Sequence, residues 1–424
     1  MTIVVQKFGG TSLADVEKIK NVARAVVREK ELGNDVVVVV SAMGHTTDNL
    51  IKLAHEISKN PSAREMDMLM STGEQISISL LAIAIQEMGY RAVSMTGAQV
   101  GIYTEDTHSK ARIVDIKTEK LMSHIKEGEI VIVAGFQGIT KEGEITTLGR
   151  GGSDTSAVAI AAKLQVENLG IERCDIYSDV EGIYTTDPRV VPTAKKLKEI
   201  SYEEMLELAR VGANVLHPRS VETAKQFQVP MRLRSSFKLD DLGTLVIGVE
   251  KMEIYKPVTG LACDKSQVRV VICDIPDRPG NASKLFTLLA KYELSVDMII
   301  QSYARSSNNT NDIAFTIDKD DLQKFMTLKD EITSIMNPSN IHIDEDIAKI
   351  SIVGAGMIDR PGIAAQMFET LAKEGINIKM ISTSEIKISC LVEKMHAKQA
   401  TEALCKAFEL DGKDVALVHG TLPD

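Results

Sequence analysis

The chain of 424 residues has no tryptophan, and aromatic residues make up only 4% of it. No run of Lys and Arg stands out and the net charge is −10, so nucleic acid is not expected as a partner. No apolar stretch approaches the roughly 20 residues that cross a bilayer, so no membrane partner is expected either. The first residues enter a strand pattern with no charged-then-apolar leader, and a cytoplasmic protein is expected. The five cysteines (Cys174, Cys263, Cys273, Cys390, Cys405) form no CxxC and are odd in number. Free thiols in a reducing compartment explain them better than a disulfide framework does. No His/Cys spacing suggests structural zinc, and no metal held by the protein alone is expected. No Gly-Lys-Ser/Thr follows the N-terminal glycines at the required spacer, which excludes a Walker A loop. What remains is a globular composition, 44% hydrophobic and 25% charged, long enough for two or three domains.

Ile3-Val4-Val5-Gln6-Lys7-Phe8-Gly9-Gly10-Thr11-Ser12 is a β-branched run closed by a lysine, a glycine pair and two hydroxyl residues. Apolar residues at Val16, Ile19, Val22, Ala23 and Val26 then recur at helical spacing. Strand, glycine turn, hydroxyl cap and helix is an arrangement that holds a phosphate. Glycines let backbone N–H groups approach, and a helix N-terminus adds partial positive charge.

Val36–Val40 is apolar on both faces, as at the centre of a parallel sheet, and delivers the polar turn Ser41-Ala42-Met43-Gly44 at its C-terminal end. Helical patterns span 48–58 and 65–86, the latter carrying Ser71-Thr72-Gly73-Glu74. A strand over 129–134 leads to Gly135-Phe136-Gln137-Gly138. A hairpin follows, ending in Gly149-Arg150-Gly151-Gly152-Ser153-Asp154-Thr155, and a helix is expected from Ser156 to Leu164. The stretch 174–184 reads as strand, acidic turn, strand, and 185–192, with two prolines, as an ordered loop. Ser201 with Glu204 makes a capping box. Alternating strands and helices over the first 235 or so residues indicate a three-layer α/β domain.

Past Pro257 an internal repeat appears: Asp277-Arg278-Pro279-Gly280 recurs 82 residues on as Asp359-Arg360-Pro361-Gly362. Phe286 matches Phe368, and Leu289-Ala290-Lys291 matches Leu371-Ala372-Lys373 at the same shift. Each copy reads as a βαββαβ module. Within the second, Gly354-Ala355-Gly356 imitates a dinucleotide fingerprint, but Asp359 replaces its third glycine and would repel a pyrophosphate.

Phosphoryl transfer needs positive charge and N–H donors on the moving group, an acidic residue to manage metal and lysine, and a pocket for the acceptor. Lys7, Gly9-Gly10, Arg150 to Ser153 and Ser178-Asp179 all fall at strand ends, which a parallel sheet gathers along one edge. Arg150 suits a carboxylate and Glu74 an ammonium, together a zwitterionic amino acid. His217-Pro218 reads as a helix-end packing feature.

These stretches, with Tyr177-Ser178-Asp179-Val180-Glu181-Gly182, Thr186-Asp187-Pro188-Arg189 and Gly212 to Pro218, resemble the signatures of the aspartokinases. The repeats resemble that family's paired ACT modules. The resemblance covers essentially the whole chain and lacks the homoserine dehydrogenase extension of bifunctional members. It implies an α/β fold: a three-layer amino-acid-kinase-like domain over 1–250 with a mainly parallel sheet, and α+β ferredoxin-like ACT modules over 260–340 and 345–424. It further implies transfer of the γ-phosphoryl of ATP, carried with Mg2+, to the side-chain carboxylate of L-aspartate. That reaction opens the route to lysine, threonine and methionine. Lys7 and Asp179 would be catalytic, with Asp179 organising the lysine and the metal. Lys7, Phe8, Gly9, Gly10, Ser178, Tyr184, Thr185, Thr186, Asp187, Pro188 and Arg189 would face ATP. Ser41, Thr47, Glu74, Arg150, Gly151, Gly152 and Ser153 would hold aspartate. Lys238 is a weaker candidate for a second neutralising charge.

The ACT pair implies feedback by lysine, threonine or both. The matching positions are Ser295, Val296, Asp297 and Gln301 in the first repeat, and Ile363, Ala364, Asn377, Ile378, Ser384 and Glu385 in the second. A homo-oligomer through the ACT modules is implied, as is a separate regulatory chain from an internal start at Met252. Two other readings stay open on residues alone: a kinase for another small acid such as acetylglutamate or carbamate, and an amino-acid sensor with a dead kinase site.

Overall fold

The computed structural model describes residues 2–213, 215–248, 256–302, 309–358 and 360–412; Met252, Asp359 and the chain past 412 lie outside them. The N-terminal part runs β1 (Ile3–Phe8), α1 (Val16–Glu31), β2 (Asp35–Val40), α2 (Thr46–Ile57), α3 (Ala63–Glu87), β3 (Ala92–Met95), α4 (Gly97–Val100), β4 (Ile102–Thr104) and β5 (Ile113–Ile116). It continues with α5 (Glu119–Lys126), β6 (Ile130–Ala134), β7 (Gln137–Ile139), β8 (Ile145–Thr147), α6 (Gly152–Val166), β9 (Ile171–Ser178), β10 (Glu199–Ser201), α7 (Tyr202–Arg210), α8 (Pro218–Phe227), β11 (Met231–Ser235) and β12 (Thr244–Ile247).

An eight-stranded sheet in the order β10-β12-β11-β9-β1-β2-β6-β3 forms the middle layer. β1 lies inside it, parallel to both β2 and β9. The valines of β2 are fully buried because both faces of the sheet are covered. On one face Phe8, Val36, Val38 and Val40 pack under α1 and α3. On the other, Val5, Val37 and Val39 pack under α5, α6 and α8. The three-layer expectation is met. By length and composition α3 could cross a membrane, but half of its apolar window is buried inside the fold, and it carries the fully buried Asp67 and the buried Glu74. It is a core helix.

Three local expectations need correction. The Gly10–Leu13 segment is a 3-10 turn, and α1 starts later, capped by Asp15, whose carboxylate accepts from the Lys18 N–H. The helix that opens at a glycine turn is α6, which begins at Gly152 rather than Ser156 with Gly151 in the left-handed region (φ 70°). Over 180–184, where a second strand was expected, the chain makes a single isolated bridge, Tyr184 to Lys196.

The C-terminal part runs β13 (Gly260–Asp264), β14 (Gln267–Pro276), α9 (Asn281–Lys291), β15 (Asp297–Gln301), β16 (Thr310–Asp318), α10 (Leu322–Met336), β17 (Asn340–Asp344), β18 (Ile347–Val353), α11 (Ile363–Lys373), β19 (Met380–Ser384), β20 (Lys387–Glu393) and α12 (Ala397–Ala407). One sheet is ordered β15-β16-β14-β17 and the other β13-β18-β20-β19. Each is antiparallel with two helices, a ferredoxin-like layout. β13 departs from the sequence reading: it pairs with β18 of the second module, so 260–264 leaves the first module and joins the other. The Gly354 turn also has a structural cause. A Cβ on Gly354 would lie 2.2 Å from the Pro257 carbonyl oxygen, so the turn packs directly against incoming chain.

The second module is fastened to the kinase domain by a helix cap. Ser201 and Glu204 make the expected capping box at the start of α7. The second oxygen of Glu204, fully buried, accepts from Thr259 Oγ1 at 2.6 Å and from the Ala355 N–H at 2.9 Å. Glu207, one turn on, pairs with Lys387 at 2.8 Å. Truncating Glu204 removes the carboxylate half of the capping box, the Ser201 hydroxyl keeping its backbone bond, and leaves the Thr259 hydroxyl and Ala355 N–H without this acceptor. Glu204→Ala is therefore expected to cost about 2–4 kcal/mol, read as a lower urea midpoint, whereas an exposed Glu→Ala control such as Glu17→Ala stays near neutral.

Candidate functional site

The C-terminal ends of β1, β2 and β6 and the start of α6 enclose a cleft of about 290 Å³. Lys7, Gly10, Ser41, Thr47, Glu74, Phe136, Arg150 and Asp154 are among the residues lining it. The backbones meet closely there. A Cβ on Gly10 would stand 2.8 Å from the Ala42 carbonyl oxygen, and one on Gly73 would stand 2.8 Å from the Ala42 Cβ. Glycine at these positions lets the β1 turn, the β2 turn and α3 converge.

Lys7 ends β1 with its ammonium 2.6 Å from Asp154 Oδ1, both side chains largely shielded from solvent. Asp154 sits in the first turn of α6, where the helix dipole favours a carboxylate. The sequence reading gave this task to Asp179, whereas in the structure it is Asp154 that pairs with Lys7. Asp179 is exposed, accepts from the Ser178 hydroxyl at 3.0 Å and lies outside the cleft. Asp154 was in view within the Gly149–Thr155 run. Starting the helix at Ser156 hid the first-turn position that identifies it.

Glu74 is 2% exposed. Its Oε1 accepts from the Ala42 N–H at 3.0 Å, and its Oε2 is buried with no hydrogen-bond partner among the described residues. Burial pushes its carboxyl up to about 7, against the opposing pull of the Ala42 N–H. A cation in the cleft would answer that unpartnered oxygen. Arg150 is exposed on the same cleft, so opposite charges flank one space. Phe136, not anticipated as a site residue, lines the cleft with φ 67°. Its N–H donates to Ser156 Oγ at 3.1 Å and its carbonyl accepts from the Leu148 N–H at 2.9 Å.

The residues expected to face ATP divide. Lys7 and Gly10 line the cleft and Gly9 adjoins it. Phe8 is fully buried and stacks on Tyr177, centroids 4.4 Å apart, so its side chain belongs to the core. Thr185 and Thr186 are buried as well. Thr185 Oγ1 donates to the Leu410 carbonyl at 2.5 Å, and its own carbonyl accepts from the Leu261 N–H at 2.7 Å, both in the C-terminal part. Ser178 and Tyr184 are half-buried, and Pro188 is exposed. Arg189 Nη2 pairs with Asp187 at 2.8 Å. Lys238, exposed, pairs with Glu181 beside Tyr184.

Of the effector positions, Ser295, Asp297 and Gln301 lie at or next to β15 with Val296 packed inward. Asp297 accepts from Lys349 of β18 at 2.9 Å, an ion pair joining the two modules. Ile363 and Ala364 open α11, Asn377 and Ile378 precede β19, and Ser384 and Glu385 sit at the β19–β20 turn.

The amino acid kinase family profile matches residues 2–235, and an ACT domain profile matches 350–408. An aspartokinase of Bacillus sp. (strain MGA3) is 52% identical over 98% of this chain and 99% of its own. Aspartokinase 2 of Bacillus subtilis is 50% identical over 97% and 98%. The chain belongs to the aspartokinases of the amino acid kinase family. The crystal structure of E. coli aspartokinase III in complex with aspartate and ADP aligns at TM-score 0.81 and 28% identity, over 96% of this aspartokinase and all of that chain. The lysine and aspartate complex of the E. coli enzyme aligns at TM-score 0.75 over 96% and 99%.

Glu74 also makes stability depend on pH. Its folded-state value of about 7 lies above the ordinary 4.5, so the folded protein holds an extra proton between the two. Unfolding free energy therefore falls as pH rises through that window. Glu74→Gln keeps an acceptor for Ala42 and removes the titration. It is expected to be more stable than the parent above pH 7, by on the order of 3 kcal/mol, with the difference shrinking toward pH 4.5. Urea unfolding at pH 5 and pH 8 checks this.

Proposed function

We propose that this aspartokinase transfers the γ-phosphoryl of MgATP to the side-chain carboxylate of L-aspartate, giving 4-phospho-L-aspartate and ADP. The observation that carries the reading is the cleft itself: the Lys7–Asp154 pair shares it with an exposed arginine and a buried, under-satisfied glutamate. Glu74 takes the substrate ammonium and Arg150 its α-carboxylate, with Gly151 to Ser153 and the α6 N-terminus beside it. The side-chain carboxylate is then left toward Lys7, near Ser41 and Thr47. The acceptor oxygen attacks phosphorus while the bond to ADP breaks. No proton is moved, because the acceptor is already ionised, so no general base is needed. Lys7 neutralises charge on the moving group, Asp154 holds the lysine in place, and the Gly9-Gly10 backbone supplies donors. Mg2+ enters with the nucleotide as part of the co-substrate; among the described residues no three acidic, His or Cys side chains gather into a metal cage.

The Ser178 and Tyr184–Arg189 stretch flanks the nucleotide side through its exposed members. Lysine, threonine or both bind at the ACT positions named above and lower turnover, in a cytoplasmic homo-oligomer that feeds lysine, threonine and methionine synthesis. The inter-module Asp297–Lys349 pair supports this, since a ligand's own ammonium could compete for the Asp297 carboxylate. The domain limits 1–250, 260–340 and 345–424 are retained, with 260–264 moved to the second module.

Acyl phosphate trapped with hydroxylamine tests the reaction. Lys7→Ala and Asp154→Asn are expected to lower kcat about 10²- to 10³-fold, whereas Asp179→Asn leaves the Lys7 pair intact and costs less. Wild-type turnover falls when lysine and threonine are added together. Unchanged turnover in Lys7→Ala would overturn the assignment. The pH profile gives a second check. Ionised Glu74 binds the ammonium, so KM for aspartate is expected to fall as pH rises toward 7, and Glu74→Gln to raise KM and abolish that dependence.

A further inference from the structure

The Gly149–Gly152 turn that carries Arg150 is held by Phe136 of the cleft and, from behind, by His217 and Arg219 outside the cleft lining. Leu148 is gripped at both ends: its N–H donates to the Phe136 carbonyl at 2.9 Å, and its carbonyl accepts from Arg219 Nη1 at 2.7 Å. The same guanidinium donates to the Ala111 carbonyl at 3.3 Å. His217, the N-cap of α8, accepts at Nδ1 from the Arg219 N–H at 3.3 Å and lays its ring on Gly151. A Cβ on Gly151 would stand 2.2 Å from His217 Cγ and 2.4 Å from Cδ2. Pro218 fixes the first helical position between the two side chains.

We propose that His217 and Arg219, at the start of α8, are positioning residues that set the backbone on both sides of Arg150 and thereby its selectivity for the α-carboxylate of the acceptor. The inference rests on the reading that Arg150 binds that carboxylate. Arg219 makes two carbonyl contacts from one planar fork, which lysine cannot reproduce from a single ammonium. His217 fills the space where a left-handed glycine brings the turn against it. Burial and the nearby Arg219 and Arg150 lower the imidazole pKa while Asp154 opposes them, consistent with a neutral ring whose Nδ1 remains an acceptor. Neither residue touches the reacting atoms, so the expected signature lies in recognition rather than chemistry.

The test compares kcat/KM for L-aspartate with that for its α-amide, which keeps the side-chain carboxylate and amine but removes the α-charge. In Arg219→Met and His217→Asn the ratio is expected to fall about tenfold, with kcat at saturating aspartate within about threefold of the parent and KM for ATP unchanged. Asn retains the cap, so His217→Asn stays folded while losing the ring. Arg219→Lys is expected to fall between parent and Met. Gly151→Ala loses aspartate affinity, and adding His217→Ala recovers part of it because the ring no longer opposes the new methyl. A ratio unchanged in the folded single variants overturns the proposal. A parallel loss for both substrates does the same, because it indicates a purely structural role. A parent with no preference for aspartate over the amide would instead overturn the Arg150 reading, and the proposal with it.

Discussion

The ion pair between Lys7 and Asp154 joins the end of the central strand to the first turn of α6, and the cleft depends on it. A lysine at the end of a buried parallel strand loses much of its hydration, so its charge is tolerable only beside a fixed anion. Asp154 supplies that anion from a helix N-terminus, which stabilises the carboxylate in turn. The pair leaves most of the lysine's hydrogen-bonding capacity open, because an ammonium has three donors. The ammonium faces Asp154 Oδ1 as an ion pair at 2.6 Å, and donors remain available to an anionic ligand. The arrangement keeps a cation ready without leaving it unpaired.

Glu74 is the complementary constraint. Its helix is brought against the β2 turn by Gly73, which leaves no room for a Cβ beside Ala42. The carboxylate is thereby buried with one oxygen satisfied and the other not. Such a group is costly to the folded state once ionised, and a cation placed in the cleft would relieve the cost. Stability is given up at a site where binding recovers it.

The fold was legible because its signals are local and redundant. The five valines of β2, the Ser201–Glu204 box and the repeated Asp-Arg-Pro-Gly turn each speak through a few consecutive residues. The cleft was legible where motifs sit at strand ends. It did not reach Asp154, because one helix boundary decides whether that acid faces Lys7, and Gly151 and Gly152 disguise that boundary as loop. β13 failed for a different reason. Strand pairing across some 90 residues leaves no trace in periodicity, and 260–264 fits either sheet equally well by pattern. Thr185 and Thr186 looked like loop hydroxyls open to a ligand, yet both are buried, and Thr185 is bonded to the second module at Leu410, a contact no local pattern encodes.

That last contact bears on how the two parts act together. The second module grips the kinase domain at the Thr185 loop, through Leu261 and Leu410, and at the start of α7, through Thr259 and Ala355 on Glu204. Glu204 belongs to a helix cap and to the junction at once, so the module cannot shift there without straining the cap of α7. Helix α7 packs against α8, whose first residues brace the turn bearing Arg150. The Thr185 loop follows β9, the strand paired directly with β1 and Lys7. Two rigid routes thus leave the module, one reaching the arginine side of the cleft and the other the lysine side. A change of packing in the module has buried hydrogen bonds, rather than a flexible linker, through which to act.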